Sequence, residues 1–287
     1  MEVIAEKVYI ENNFPGVTLG LIAAPRGPVF IDAPPSADDS RSWRAAVMDL
    51  SSGPDRVLIH LDSHPDRTIG ARAMDCPVIA HEKIVQAFRN RPTIFKAQGD
   101  ETGAGWEGVA SLGTVRWVSP EISFTEKLTL HWGGNPIQLE HHPGPTADAI
   151  WVILPEEKVI FVGDLVVKQQ PPFLAQANLL SWVEALKELM SPIYRRFTIV
   201  SGRGGVVAPQ TVKAQLELIE AIHDRLERLA AREAAPEATE KLVSHFLEHY
   251  RAPAIRIKHY EQRLRYGLYH YYIRHYRPSQ RAVPNEG

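Results

Sequence analysis

Apolar and polar positions change in short bursts through the first third of the chain, then settle into longer helical periods. Residues 17–24 and 29–32 are β-rich runs, joined by the turn Pro25-Arg26-Gly27-Pro28. Trp43, Val47 and Leu50 recur at steps of four and three, which predicts a helix over residues 40–50. A strand over 56–61 runs into Asp62-Ser63-His64-Pro65-Asp66-Arg67, and a buried-type strand at 78–80 precedes a helix through Phe88. Short β runs follow at 114–118, 127–132, 136–140, 149–154 and 158–162, with Pro155-Glu156-Glu157-Lys158 predicting a hairpin between the last two. Beyond them lie a helix at 179–190, a strand at 197–200 ending in Ser201-Gly202-Arg203-Gly204-Gly205, and a long helix. In that long helix Val212, Leu216, Ile219, Ile222, Leu226 and Leu229 fall on one face.

Two groups of strands with helices distributed around them predict a layered α/β sandwich. The pattern shifts after Arg232, where Glu233-Ala234-Ala235-Pro236-Glu237 breaks the helix and a helical, aromatic segment follows. The expected division is a main domain over 1–233 and a helical C-terminal extension over 234–287.

Composition narrows the function classes. Apolar residues make up 44% and charged residues 23% of 287, with a formal net charge of -2, so no global field draws the chain to nucleic acid or anionic membrane. No run approaches the ~18 apolar residues of a spanning helix. Acids at Glu2 and Glu6 stand where a secretion signal needs a basic start, so the expected location is cytoplasmic, with no membrane partner. The single cysteine, Cys76, excludes intrachain disulfides and cysteine-based zinc sites, and reads as a small buried hydrophobe.

The stretch from Asp62 to Arg67 resembles, in substituted form, the His-x-His-x-Asp-His motif of the metallo-β-lactamase superfamily. Other segments are similar to the same family in the same order. His142-Pro143-Gly144-Pro145-Thr146 resembles its Pro-Gly-His-Thr turn, and Val159-Ile160-Phe161-Val162-Gly163-Asp164 its strand ending in Gly-Asp. Gly202-Arg203-Gly204 resembles its late Gly-His-Gly turn. The resemblance covers residues 1 to about 230. It implies a four-layer αββα sandwich and, in the family, two zinc ions that acidify a water for hydrolysis.

Carried across by position, the resemblance implies Asp62, His64 and Pro145 where the first metal is held. It implies Asp66, Arg67 and Arg203 at the second, and Asp164 as the shared carboxylate. An arginine offers no lone pair and repels a cation, so the second site is expected to be lost as a metal site. Arg67 and Arg203 would instead supply the positive charge beside the acids, as an Asp66–Arg203 or an Asp164–Arg67 pair. Asp62, His64 and Asp164 leave one candidate set for a single zinc, iron or manganese ion, with His60, His141 or His142 as further donors. The opposite reading makes His64 a satisfied buried imidazole and no cofactor is bound.

Three functions follow. The first is a pseudoenzyme or small-ligand-binding protein that uses the old active-site cleft. The second is a one-metal hydrolase of small esters or thioesters, with His64, Asp66 and Asp164 as candidate catalytic groups. The third uses the tail: residues 251–281 hold eight Lys or Arg against the single acid Glu261, with six tyrosines between Tyr260 and Tyr276. Basic residues among aromatics suit nucleic acid. Ile257, Tyr260, Leu264, Leu268 and Tyr271 at helical spacing suit instead a helix packed on the body or on a second subunit in a homodimer, which is the preferred reading. Ser63, Thr146 and Ser201 near the cleft mouth lack the surroundings of a serine nucleophile. Cleft specificity is expected in loops 98–113 and 169–178.

Overall fold

The period-two runs assemble into two sheets whose strands present alternate residues to opposite sides. The computed structural model describes residues 1–89, 91, 102–109 and 117–277. The first sheet contains β1 (Glu2–Ala5), β2 (Val8–Glu11), β3 (Leu19–Ala24), β4 (Gly27–Ile31), β5 (Val57–Ile59), β6 (Val78–His81) and β7 (Ile122–Phe124), in that spatial order. Pairing is antiparallel from β1 to β4 and parallel from β4 to β7. The second sheet holds β8 (Lys127–Leu130), β9 (Ile137–His141), β10 (Ile150–Leu154), β11 (Val159–Phe161), β12 (Thr198–Ser201) and β13 (Gly205–Val207), also neighbours in sequence order. Its β11–β12 pair is parallel and the others are antiparallel.

Alternation decides the layers. Val29, Ile31, Val57 and Ile59 of the first sheet meet Val152, Leu154, Val159 and Phe161 of the second in one core between the sheets. The intervening Phe30 and Leu58 point the other way, under Trp43 and Val47 of α1 (Ala37–Val47). On the far side Trp151, Ile153 and Ile160 pack under helices that follow the second sheet in sequence. The sheets approach closely at Gly20, where a Cβ would stand 2.6 Å from the Phe161 ring. The result is a four-layer αββα sandwich.

Three short helices follow β5 and β6: α2 (Pro65–Thr68), α3 (Ala71–Met74) and α4 (Lys83–Arg89). The second outer layer consists of α5 (Leu179–Leu189), which makes the crossover between parallel β11 and β12, and α6 (Pro209–Ala231). Two more helices, α7 (Glu240–Leu247) and α8 (Ala254–Tyr276), complete it. Phe246, Leu264, Leu268, Tyr271 and Tyr272 enter the same core as Trp182 and Ile222, so the C-terminal helices pack on the body. The Tyr272 hydroxyl donates to the Ala234 carbonyl at 2.8 Å, fixing the chain where the composition shifts.

Differences from the sequence expectations have local causes. Helix α1 starts at Ala37 because the Ser36 side chain accepts from the Asp39 amide at 3.0 Å, a cap that precedes the first apolar repeat. The edge strands β1 and β7, partly exposed and only four and three residues long, carry too little alternation to stand out. The run expected at 114–118 lies largely outside the described residues. Among the described residues no helix is long and apolar enough to cross a membrane.

Candidate functional site

Four parallel-paired strands bring their carboxyl ends to one rim, and the polar residues that follow each strand meet there. Asp32 follows β4 with φ +60°, a conformation that Asp tolerates better than most residues. Its amide donates to the Ile59 carbonyl at 2.8 Å, and its Oδ1 accepts from the Leu61 amide at 3.0 Å. The chain leaving β5 then carries Asp62 and His64, and Pro65 at the first helical position turns Asp66 and Arg67 into α2. From the second sheet, Asp164 sits in the tight turn after β11 and Arg203 in the turn after β12. A Cβ on Gly202 would lie 2.8 Å from Arg67 Nη2 and 2.9 Å from Asp164 Oδ1, so only glycine leaves room for that pair.

Both arginines are buried, and both lie among acids. Arg67 reaches three of them: Nη1 lies 3.2 Å from Asp32 Oδ2, Nε 3.3 Å from Asp62 Oδ1, and Nη2 donates to Asp164 Oδ1. Arg203 Nε donates to both oxygens of Asp164 at 3.0 Å, and its Nη1 donates to Asp66 Oδ2 and, at 2.5 Å, to the Gly16 carbonyl. His64 Nδ1 stands 3.0 Å from Asp62 Oδ1 and 3.4 Å from Asp164 Oδ2. Asp164 thus joins both guanidiniums, and the two pairs expected as alternatives coexist in one network.

Protonation follows from this geometry. Burial would raise the carboxyls of Asp62 and Asp164, but Arg67 beside the first, and Arg203 and Arg67 beside the second, outweigh it and hold both below the usual range. Burial would discharge His64, yet Asp62 and Asp164 outweigh it and raise its pKa. Burial also opposes the charge on Arg67, and Asp164, Asp62 and Asp32 raise its pKa well above the ordinary value. Asp32 is the exception: its burial outweighs Arg67 and raises the carboxyl.

Asp62, His64 and Asp164 each offer one atom within 4.8 Å of the others, the spacing of a three-donor cation set. The arrangement nevertheless does not fit a divalent ion. The Asp164 oxygens accept from Arg67 and Arg203, Arg67 Nε stands 3.3 Å from Asp62 Oδ1, and His64 Nδ1 faces the same two carboxylates. A cation there would displace or repel two permanently charged guanidiniums.

The other sequence candidates fall elsewhere. Pro145 is buried in the Gly144–Thr146 turn and supplies no side-chain donor. His60 is buried with its Nδ1 3.8 Å from Asp32 and neither ring nitrogen hydrogen-bonded, while His141 stacks on His81 and His142 on Trp151. None joins the Asp62–His64–Asp164 set, so the further donors expected for a single metal are corrected to packing residues. The Ser201 hydroxyl donates to the Val166 carbonyl at 2.5 Å and braces the strand turn. Burial pushes the Cys76 thiol up to about 12, leaving it un-ionised as a nucleophile at neutral pH.

Three participants were not readable from the motif. Asp32 ended a strand in the sequence pattern and here is the third acid of Arg67. Phe173 comes from the 169–178 loop and lies between two cations, with Arg203 Cζ 4.5 Å and Arg263 Cζ 4.0 Å from its ring centroid. Arg263 belongs to the basic tail, where only its charge was visible; it is buried and donates to the carbonyls of Gly103 at 2.9 Å and Pro171 at 3.0 Å. It also donates to Gln170 Oε1 at 2.8 Å, so α8 clasps two of the cleft loops.

Comparisons with known proteins agree with this fold. The family described as Metallo-beta-lactamase superfamily matches residues 70–196. A linear primary-alkylsulfatase from Pseudomonas sp. (strain ATCC 19151) is 24% identical over 259 residues, 76% of this chain, which spans 48% of that relative's length. Among solved structures, the metallo-beta-lactamase from Pontibacter korlensis is 21% identical with a TM-score of 0.61, over 76% of this chain and 97% of that one. The stereoselective inverting sec-alkylsulfatase Pisa1 from Pseudomonas sp. is 14% identical with a TM-score of 0.68, over 95% of this chain and 49% of that one. At these identities the structural likeness speaks for the fold. Together with the family match over residues 70–196 and the order of the rim turns, it follows that the chain has the metallo-β-lactamase fold and is similar to members of that superfamily.

Proposed function

We propose that this protein no longer uses the two-metal hydrolytic site of its family, and that the old active-site cleft binds a small molecule without metal. The observation that carries this reading is the placement of Arg67 and Arg203 among Asp32, Asp62, Asp66 and Asp164. Two buried guanidiniums neutralise acids that two cations would otherwise neutralise, and a buried carboxylate cluster needs one or the other. Substitution at both positions puts two positive charges among these four acids and so offsets part of their repulsion, as expected of a converted site.

A second reading keeps one metal on Asp62, His64 and Asp164, and would act on small esters, thioesters or, by analogy with the alkylsulfatase relatives, sulfate esters. The donor spacing within 4.8 Å favours it. One experiment separates them: metal analysis of full-length protein purified without chelator or metal-affinity resin, before and after dialysis against EDTA. The proposal expects less than stoichiometric metal and an unchanged unfolding midpoint in EDTA. Stoichiometric metal that disappears in Asp164→Asn would overturn it in favour of the hydrolase.

A further inference from the structure

Between the arginine network and α8 lies a cavity of about 160 Å³. An engineered apolar cavity of ~150 Å³ is known to accept benzene, so this space suits a ligand body of that size. Trp106, Phe173, Leu174 and Tyr266 supply apolar and aromatic wall. Among the described residues the charged wall is one-sided: Arg91, Arg203 and Arg263 line it beside His64, opposed by the single acid Asp66. The cations come from three distant stretches of chain, which excludes a local charge run as their cause.

Two of these cations have donors to spare. Arg203 is 2% exposed, yet its Nη2 is buried with no hydrogen-bond partner among the described residues, whereas its other nitrogens are engaged. Arg91 Nη1 is likewise buried without a partner among them, and its guanidinium stacks 4.5 Å from the Trp117 ring centroid. Arg263 has partners, and among the described residues these are neutral carbonyl and amide oxygens. Burial, then repulsion from Arg203, pushes Arg263 down to about 10 in spite of Asp66 and Asp164. A buried unpaired donor is costly, and a buried cation without a carboxylate more so.

We infer that the cavity is a binding site for a small organic monoanion with a benzene-sized apolar body, its oxyanion held by Arg203 Nη2 with Arg263 and Arg91. This rests on the proposal that the cleft is a ligand site and names the class of ligand. Planar guanidiniums suit a carboxylate or a sulfonate head, and aromatic walls suit a ring.

Calorimetric titration of the full chain with benzoate, benzenesulfonate and neutral benzamide tests it. Saturable one-to-one binding of at least one anion is expected, with benzamide weaker by about 10-fold or more, the scale of one charged hydrogen bond. The anion that binds more tightly identifies the head group. Arg263→Met and Arg91→Met should each weaken that anion about 10-fold while leaving benzamide unchanged. If Arg263→Met does not fold, the Arg91 variant and the neutral ligand decide. Equal binding of benzamide and the anions, or no binding of either anion at millimolar concentration, overturns the inference. Anion binding that EDTA abolishes would overturn the metal-free proposal while leaving an anion site in place.

Discussion

Arg67 and Arg263 are both buried in the same cleft, yet their surroundings are opposite. Arg67 sits on the rim of the sheets with three carboxylates around it, and its pKa is raised well above the ordinary value. Arg263 reaches in from α8, is ringed by neutral oxygens, and is pushed down to about 10. The contrast separates two uses of one side chain. The first completes a charge cluster; the second meets neutral oxygens, the feature on which the proposed anion site rests.

The largest test of this contrast strikes the shared acid. Asp164→Ala removes the one acid that two buried guanidiniums share, and breaking a buried pair costs about 3–5 kcal/mol. Urea denaturation should show that loss, or the variant should fail to accumulate as folded protein. A loss below about 1 kcal/mol would mean that the network is solvated and the contrast false.

A smaller effect is expected at the other pole. Arg263→Met leaves the Gly103 and Pro171 carbonyls short of donors, which costs about 1–3 kcal/mol, but it also relieves a charge buried without a counter-charge. Its net destabilisation should therefore fall well below that of Asp164→Ala in the same denaturation series. Equal losses in the two variants would erase the distinction.

The subtlest difference is in pH dependence. Asp62 and Asp164 have depressed folded pKa values, so their stabilising contribution is present above ~4, their unfolded value, and is lost as pH falls through the folded values. His64 is raised, so its contribution is present below ~6.5 and is lost as pH rises through its folded value. Asp32, raised by burial, works against the acids and softens the acid limb. Urea midpoints should be highest in the weakly acidic range between those limits. Asp164→Asn should flatten the acid limb and Arg263→Met should leave it intact; the reverse pattern would place the acid-sensitive charge on α8.

Much of the fold was legible because its strands alternate cleanly. The β10–β11 hairpin announces itself through Pro155-Glu156-Glu157-Lys158, and Lys158 does adopt the left-handed φ of +54° that such a turn needs. The rim residues Asp62, Asp66, Arg67, Asp164 and Arg203 could be found because motif spacing is local, and an arginine among aspartates has few chemical options. What sequence could not show is pairing across long separations. Asp32 reaches Arg67 over 35 residues and Arg263 reaches Gly103 over 160. Nor does helical periodicity tell which cations of α8 turn inward: Arg263 is buried, while Arg265, two positions on, pairs with Glu240 and Glu261 at the surface. His60 shows the converse limit, since a histidine two residues from a motif position looks like a donor until the strand turns it into the core.

That one carboxylate serves both arginines also constrains the history of the molecule. Reverting Arg67 to the family's histidine would leave Arg203 alone to offset the acids around Asp164; reverting Arg203 first would strip Asp66 of its partner. Either single step creates a buried excess of negative charge before any complete metal site exists to absorb it. Under the proposed conversion, a return to a two-metal site would therefore pass through charge-unbalanced intermediates, and selection would refine the cleft more readily than it would restore metal ligands.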